Sequence, residues 1–369
     1  MEKRWRNVRG LFIAAAAMVA AVFVFSGCQK PEARETFRIG MVADLTGNYG
    51  FIGEGMKNAM LLAKDKLKGN KYRYELLFED DQADPKLSAS AANKLINVDR
   101  VDAIVSIEAS AGHIISALAT KNNIIHFGIT TVKSVAEGDN NFIHWTPPAE
   151  QARVLAGEFQ KRNIRRVAIF KSRALEDWTM YVQELRRIIK DTDITIVAEQ
   201  AFQAGKKDFR SMIAEARRKK PDIYVLLCST PALEILAKQI KEAGIKTPLT
   251  SIEAFEGTQD AQLFEGYWYV SSAEPTAGFV NAYKQKYGRT PPLCAGNAYD
   301  IFNLIVTAVE RAGVSPSTKP AAGEIIAELK KIKDFKGALG VLYVDDSGIV
   351  HSEAKLKMVK NGRFIEIGG

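Results

Sequence analysis

The sequence lacks the motifs on which most enzymes of this size depend. Its four histidines, His113, His126, His144 and His351, follow no spacing suited to a shared metal ion, and no HExxH segment occurs. A G-x-S-x-G nucleophile elbow is also missing. We therefore predict that the chain is not an enzyme and that it binds neither a metal nor a cofactor.

A phosphate-binding loop is missing as well, although one segment stands in the right place for it. Gly50, Gly53 and Gly55 follow a predicted strand and open a predicted helix. Their spacing is not G-x-G-x-x-G, and no Walker lysine and serine follow them. The three glycines favour a tight turn and close helix packing instead.

Cysteine is scarce, which excludes a small disulfide-stapled scaffold. The three cysteines are Cys28, Cys228 and Cys294. A disulfide between Cys228 and Cys294 is permitted outside the cytoplasm. The sequence does not show that these two residues meet, and two separate buried thiols fit equally well.

Charge of one sign is not concentrated anywhere. The net charge is +8, from 51 basic and 43 acidic residues. The densest basic cluster, residues 217–220, closes a predicted helix, where cations suit the helix dipole. We interpret it as a solvated helix end and predict no nucleic-acid partner.

The one long apolar run, residues 11–25, is shorter than the ~20 residues of a membrane span. Arginines precede it, and Ser26, Gly27 and Cys28 follow it, which is typical of a secretory signal peptide over residues 1–27. The border resembles the lipobox of bacterial lipoproteins, in which Cys28 would be acylated and become the new N-terminus. An ordinary signal with an incidental cysteine is the alternative. Residues 28–36 read as a polar tether.

After the tether, short β-branched runs alternate with amphipathic helical stretches. "FRIGMVAD", "YRYELLFED", "DAIVSI" and "IIHFGI" are predicted strands with helices between them. The pattern pauses at Pro147-Pro148 and restarts as a second unit, followed by a mostly helical part and a closing antiparallel hairpin region. This indicates an α/β protein with two doubly wound parallel-sheet lobes.

Open α/β sheets bind ligands at the carboxyl ends of their strands, so the residues that follow each strand are candidates. They are polar or aromatic: Tyr49, Ser110, Thr130, Thr131, Trp178, Ser229, Thr230 and Glu253. In the helical part, Asp300 is expected either to be exposed or to lie in the cleft, and the sequence favours neither position.

Three of these residues have a specific chemistry and a plainer alternative. Ser110 opens a helix and could help its free N–H groups to hold a carboxylate, or it could simply cap that helix. Glu253 could pair with a ligand ammonium or be a solvated loop carboxylate. Trp178 could form an apolar wall or a cation–π face, or pack within the core.

Two stretches carry a family resemblance: "IGMVADLTGNYGFIGEGMKNAMLLA" and "LLFEDDQADPKLSASAANKLINVDRVDAIVSIEASA". They resemble type I periplasmic solute-binding proteins of the leucine/isoleucine/valine-binding family of ABC transporters, as does the ending "MVKNGRF". The resemblance implies two lobes joined by a three-crossover hinge that closes on ligand. We place the crossovers near Thr146, Ser271 and Gly340. Lobe I then holds residues 37–146 and 272–340, and lobe II holds residues 147–271 and 341–369.

The resemblance also implies roles for individual residues. Ser110 falls on the carboxylate-binding serine, and Thr131, or its neighbour Thr130, falls on a threonine that contacts carboxylate and ammonium. Glu253 falls on the acid that holds the ammonium, and Trp178 on an aromatic wall position. Tyr49 matches a further aromatic loosely. Ser229 and Thr230 stand where leucine binders have a tyrosine, and these smaller side chains reshape the pocket.

From this resemblance we expect an exported receptor, lipid-anchored to a bacterial membrane and facing the periplasm or the cell exterior. It would capture an amino acid or related small carboxylate between its lobes and deliver it to an ABC permease. A ligand sensor of the same fold, binding an amide or aromatic acid, is the alternative.

Overall fold

The computed structural model describes residues 34–174, 176–258 and 260–367. The predicted signal peptide, Cys28 and most of the tether lie outside these residues. In the part of the chain that is described, no helix combines the length and the apolar character needed to cross a membrane.

Lobe I is built on an eight-stranded sheet with the order β11-β12-β13-β5-β4-β3-β1-β2. Its strands are β1 (Thr36–Ala43), β2 (Arg73–Asp80), β3 (Ala103–Ile107), β4 (Ile125–Ile129), β5 (Asn141–His144), β11 (Phe335–Gly337), β12 (Gly340–Val344) and β13 (Ile349–His351). Neighbours from β2 to β13 pair in parallel, while β12 is antiparallel to both β11 and β13.

Lobe II holds two smaller sheets. Its strands are β6 (Arg166–Ser172), β7 (Thr195–Phe202), β8 (Ile223–Leu227), β9 (Leu249–Thr250), β10 (Trp268–Ser271), β14 (Lys355–Lys360) and β15 (Arg363–Glu366). The first four form a parallel sheet of order β7-β6-β8-β9, and the last three form an antiparallel sheet of order β10-β14-β15. A single bridge between Ile252 and Val270 joins the two sheets.

Helices alternate with the parallel strands and cover the sheets. They are α1 (Gly50–Asp65), α2 (Pro85–Asn97), α3 (Ala109–Asn122), α4 (Pro148–Lys161), α5 (Glu176–Ile189), α6 (Arg210–Arg218), α7 (Ala232–Glu242), α8 (Ala277–Tyr287), α9 (Ala295–Ala312) and α10 (Ala322–Lys330). Each lobe has its own large hydrophobic core, and in lobe I that core includes the buried face of α9. The predicted α/β fold with two parallel-sheet lobes is confirmed.

The chain passes between the lobes at residues 145–147, 272–276 and 352–354. The prediction of a third crossover near Gly340 is wrong, and residues 341–351 belong to lobe I. Ile349 and Val350 of β13 pair with Ile143 and His144 of β5, which extends the lobe I sheet. A hairpin pattern in a sequence does not reveal which sheet edge the hairpin joins, because its alternation depends on burial and not on the partner strand.

The three crossovers are tied together at Thr146. The Thr146 hydroxyl accepts a hydrogen bond from the backbone N–H of Ala273 at 2.8 Å and bonds the Ser352 hydroxyl at 2.7 Å. Thr146 is 2% exposed and Ser352 is 4% exposed, so these bonds are shielded from water. One side chain therefore links the three segments about which the lobes can turn.

Asp300 is a structural residue of lobe I. Its side chain is fully buried and accepts hydrogen bonds from the backbone N–H groups of Ala338 and Leu339. These bonds fasten α9 to the turn before β12. The sequence could not choose between an exposed and a cleft position, because the partners come from a distant segment, and neither alternative is right.

The glycine-rich opening of α1 serves close packing. A Cβ atom on Gly53 would lie 2.0 Å from the backbone oxygen of Asp44, and one on Gly55 would lie 2.0 Å from Pro292 Cγ. Side chains at these two positions would push α1 away from its neighbours. The interpretation of these glycines as turn and packing residues is confirmed.

We expect Gly53→Ala to lower the free energy of unfolding by about 1–3 kcal/mol, because the added methyl group overpacks a backbone contact. Gly157→Ala is the matched control, since a Cβ at this position within α4 meets nothing within 4 Å. That change should raise stability by about 0.5–1 kcal/mol through lower unfolded-state entropy. Urea unfolding of both variants measures the two effects, and equal effects would contradict the packing account.

Candidate functional site

The carboxyl ends of the strands in both lobes face a common cleft, where the two lobes touch. The Thr131 hydroxyl, which follows β4, donates a hydrogen bond to Asp177 Oδ1 on the first turn of α5. Lys133 Nζ of lobe I lies 3.7 Å from Glu184 Oε1 of lobe II. Met180 of lobe II also packs against a small apolar cluster that contains Val135 of lobe I.

Glu253 lies on the lobe II side of this cleft, where the chain leaves β9. Its φ of +60° is unusual for a residue with a side chain, and its backbone N–H donates to the Val270 oxygen at 2.7 Å. Glu253 Oε1 accepts hydrogen bonds from Gln151 Nε2 at 2.6 Å and from Trp145 Nε1 at 3.2 Å. Both donors are neutral, so neither supplies a compensating charge.

Burial raises the pKa of Glu253 above its ordinary value, and the bonds from Gln151 and Trp145 offset this only in part. The hydroxyl of Tyr181 also bonds this carboxylate. Among the described residues, every side chain that bonds Glu253 is therefore uncharged. Glu253 is partly buried. A carboxylate withdrawn from water without a cationic partner is costly, which makes this group a candidate for binding a positively charged ligand atom.

Two aromatic side chains of the lobe II core, Trp178 and Tyr181, pack together near Glu253. Trp178 is 6% exposed, and its ring centroid lies 6.0 Å from that of Tyr181. The Trp178 indole N–H is buried and has no hydrogen-bond partner among the described residues. An apolar wall with one free donor can orient a small ligand that carries an acceptor.

Thr130 and Thr131 are both buried in lobe I, but their hydroxyls have different partners. The Thr130 hydroxyl accepts from the backbone N–H of Val132 at 3.2 Å, which shapes the loop after β4. The Thr131 hydroxyl is engaged across the cleft with Asp177. The structure thus places Thr131 at the interlobe contact and Thr130 in a local turn.

A cavity in lobe I brings Tyr49 and Ser110 together. Both line it, and so do Asp44, Asp81 and Glu108, which follow β1, β2 and β3. Ser110 is exposed and lies inside α3, while the position before this helix is occupied by Glu108. Ser110 is therefore not the N-cap that we considered.

Glu108 has a strained backbone. Its φ of +65° and ψ of +157° fall in a region that is almost exclusive to glycine, at a cost of roughly 1–3 kcal/mol. Burial raises the pKa of Glu108, and the nearby charges of Asp81 and Asp44 raise it further. Strained residues of this kind cluster at functional sites, because the surrounding fold must hold them in place.

The remaining candidates do not line the lobe I cavity. Ser229 is exposed, while the Thr230 hydroxyl donates to Glu234 Oε1 at 2.7 Å and lies 3.0 Å from the Gly257 oxygen. Thr230 thereby links α7 to the loop that follows Glu253. Asp300 is bonded to backbone within lobe I, as described above.

The two buried cysteines are free thiols in the structure, which decides between the alternatives that the sequence left open. Burial raises the pKa of each thiol to about 12. Cys294 precedes α9 with a φ of +66°, and the charges of Glu108 and Glu253 also raise the pKa of its thiol. Cys294 therefore lies near an acidic residue of each lobe.

Three residues of the cleft, Trp145, Gln151 and Asp177, were not predicted from the sequence. Trp145 and Gln151 belong to "HWTPPAEQ", which we interpreted only as a pause between lobes, and Asp177 is the neighbour of Trp178. No motif marks any of them. The only signal in the sequence was position. Each residue lies near a crossover or a predicted wall residue, and such segments border the cleft.

Replacing Glu253 should change the pH dependence of stability. Its raised pKa means that the folded chain binds the proton more tightly than the unfolded chain does, so stability falls as pH rises from glutamate's ordinary value through the raised value. We expect Glu253→Gln to be more stable than the wild type at pH 7, with a gain that shrinks toward pH 4.5. Thermal unfolding across pH measures this gain. Glu353→Gln, whose side chain is 80% exposed, is the control, and a gain independent of pH would contradict the assignment.

Comparison with known proteins identifies the family of this chain. The family model described as periplasmic binding protein matches residues 36–362. A Leu/Ile/Val-binding protein of Rhizobium johnstonii is 22% identical over 365 residues, covering 91% of this chain and 95% of the relative. Glutamate receptor 1.1 of Arabidopsis thaliana is 22% identical over 361 residues, covering 90% of this chain. This chain spans only 44% of that receptor's length.

Two solved structures show the same fold. One is a branched-chain amino acid transporter substrate binding protein from Streptococcus pneumoniae in complex with isoleucine, at 22% identity and a TM-score of 0.72. The match covers 90% of this chain and all of the other. The other is a solute binding protein from R. palustris in complex with benzoate, at 16% identity and a TM-score of 0.70, covering 90% and 96% of the two chains. With the family model spanning most of the sequence, the chain belongs to the periplasmic binding protein family.

Proposed function

We propose that this protein is an extracytoplasmic receptor that captures a small amine-bearing solute between its lobes and delivers it to an ABC permease. The observation that carries the proposal is the partly buried carboxylate of Glu253, which is bonded only by neutral donors among the described residues. Amino acids and related small solutes are the ligand class that the sequence resemblance favours.

The energetics of Glu253 support an ammonium partner. Removing a carboxylate from water is costly unless an opposite charge or several donors compensate it. Here three neutral side chains bond the carboxylate, and two of them share a single oxygen, Oε1. A ligand ammonium at this site would supply the missing charge in a shielded setting, where a charge-assisted hydrogen bond is strong.

The rest of the proposed binding set comes from both lobes. Trp178 would form the apolar wall and offer its indole N–H, and Tyr49 and Ser110 would contact the solute from lobe I. Thr131 would act mainly through its bond to Asp177, which joins the lobes in the closed form. We drop Asp300 and Thr230 from the set because their side-chain contacts are structural, whereas the exposed Ser229 stays a prediction.

A sensor of the same fold is the second candidate. The similarity to a plant glutamate receptor favours it, since that relative is named as a receptor. The R. palustris neighbour, solved with benzoate, extends the possible ligands to aromatic acids. Uptake of the bound solute by cells with and without this protein would separate transport from sensing, because a sensor alone does not change uptake.

Binding should depend on Glu253. We expect at least one amine-bearing member of a panel of amino acids, amines, amides and aromatic acids to raise the melting temperature of purified, ligand-stripped protein. A ligand at 100 times its dissociation constant adds ~2.7 kcal/mol of stability. Glu253→Gln should weaken its binding by roughly a hundredfold, as expected when one partner of a buried charged pair is removed.

The control is again Glu353→Gln, which should bind like the wild type. Unchanged affinity in Glu253→Gln would remove the ammonium assignment, and binding of aromatic acids alone would have the same meaning. If no solute of the panel changed the melting temperature, the receptor proposal itself would fail.

We also propose that lipidation of Cys28 anchors the mature protein to a bacterial membrane. The support is the sequence pattern of a basic head, a short apolar run and small residues before this cysteine. An anchor of more than one acyl chain would hold the receptor stably beside its permease.

For this anchor we expect Cys28→Ser to move the protein from the membrane fraction to the soluble fraction and to abolish incorporation of labelled palmitate. Cys228→Ser, which changes a buried thiol in lobe II, is the matched control and should leave both readouts unchanged. A Cys28→Ser protein that stays in the membrane and still incorporates palmitate would show that this residue is not the anchor.

A further inference from the structure

We propose that Lys357 of lobe II holds the two lobes together at the hinge, through its ion pair with Glu274 on the second crossover. This inference goes beyond the proposed function, because it concerns how the lobes are held and not which solute they bind. It is tested without a solute. Its failure would leave the receptor proposal standing, and the reverse also holds.

Lys357 is an unusual lysine because it is almost fully buried. It lies on β14, where it pairs with Tyr269 of β10, and it is 3% exposed. Its Nζ atom bonds Glu256 Oε1 at 2.6 Å and also bonds Glu274 Oε1. Lysine is seldom buried to this extent unless it is paired. The burial fixes the ammonium group within the antiparallel sheet of lobe II.

The two acids keep the Lys357 ammonium charged. Burial alone would lower the pKa of Lys357, but the charge of Glu256 and the bonds to Glu256 and Glu274 raise that pKa above its ordinary value. The carboxylates themselves reach solvent, since the side chains of Glu256 and Glu274 are 36% and 45% exposed. A fixed, charged group therefore meets an acid that has room to move away from it.

Glu274 lies on the lobe I side of the hinge pivot, which makes this ion pair an interlobe contact. The second crossover meets the pivot at Ala273, whose N–H donates to the Thr146 hydroxyl at 2.8 Å. Glu274 is the next residue along the chain. The N–H of Thr276 then donates to the Ala338 oxygen of lobe I at 2.7 Å. Glu274 therefore stands between the pivot and lobe I.

Rotation of the lobes about Thr146 separates the two partners of this ion pair. Lys357 moves with lobe II because it belongs to β14, whereas Glu274 is held between the pivot and lobe I. Opening the cleft pulls the carboxylate away from an ammonium group that cannot follow it. In the structure the lobes touch and the ion pair is formed, so the pair favours the closed arrangement.

The same lysine fixes the segment that carries Glu253. Glu256 follows Glu253 by three residues, and its N–H donates to the Glu253 oxygen at 3.1 Å. Three donors bond Glu256 Oε1: the Lys357 ammonium, the Ser271 hydroxyl at 2.8 Å and the Tyr269 hydroxyl at 3.0 Å. Lys357 is therefore a positioning residue, which joins the Glu253 segment to a crossover that moves when the lobes close.

The ion pair should change the balance between closed and open lobes by a measurable factor. An interaction present in only one of two states shifts the ratio between them by its full free energy. A charge-assisted bond with one buried partner is stronger than a fully exposed surface pair. We therefore expect loss of this pair to lower the closed-to-open ratio by about tenfold.

Distances between two spin labels in purified, solute-free protein measure this ratio. The labels are attached through Glu137→Cys in lobe I and Gln183→Cys in lobe II. Both positions are exposed, and they lie beside the interlobe contact between Lys133 and Glu184. Electron–electron resonance then gives the populations of short and long distances, which report closed and open lobes.

The native cysteines do not disturb this measurement. Cys28→Ser removes the thiol of the proposed anchor and serves as the background for every variant. Cys228 and Cys294 are buried, and burial raises the pKa of each thiol to about 12, so they should not react with the label.

Variants locate the effect. Glu274→Ala should lower the closed-to-open ratio by about tenfold. Glu353→Ala is the matched control: Glu353 also lies on a crossover and bonds a lysine of β14, Lys355, at 3.2 Å, but these two residues are two apart in the chain and their bond does not cross the pivot. Lys357→Met should cause the same shift as Glu274→Ala. The double variant should add little, because both changes remove one interaction.

Several results would overturn the inference. They are a wild type that is fully open without solute, an unchanged ratio in Glu274→Ala, and a shift of equal size in Glu353→Ala. Additive shifts in the double variant would mean that Lys357 and Glu274 act separately, which also contradicts it. Thermal unfolding is the companion readout, because a purely structural pair would lower the melting temperature of Glu274→Ala and leave the ratio unchanged.

Discussion

The interlobe site depends on one constraint: a partly buried carboxylate without a cationic partner has to be held by the fold around it. Glu253 meets this constraint through a positive φ and through bonds from Gln151 in lobe II and Trp145 at the first crossover. These contacts keep the group in place but do not neutralise it. The fold therefore loses some stability in order to hold a charged group in the cleft. Binding sites commonly differ from the remaining core in this way.

The sequence was sufficient for the two α/β lobes and for the strand ends around the cleft, because hydrophobic periodicity and parallel topology together determine which loops share an edge. It could place Glu253 and Trp178 beside the cleft for this reason. It could not place Asp300, whose partners, Ala338 and Leu339, are remote in sequence, or the third crossover. Long-range pairing and the charge environment of Glu108 depend on tertiary contacts that no local pattern encodes.

Thr146 limits how the hinge can move. Because its hydroxyl bonds both other crossovers, the three segments cannot slide independently of one another. Rotation about a common pivot remains available, and it would make and break the contact between Thr131 and Asp177. Trp145 precedes Thr146 and bonds Glu253. The hydrogen bond to the carboxylate therefore lies next to the pivot of the hinge.

Some strands of lobe I are synthesised long after the first ones, and this affects how the nascent chain can fold. Strand β13 pairs with β5, and α9 fills the lobe I core, so both sheet and core wait for residues near the end of the sequence. Residues 349–351 must therefore be translated before the first lobe can close. The N-terminal lobe stays incomplete until then, which would suit the export that we propose.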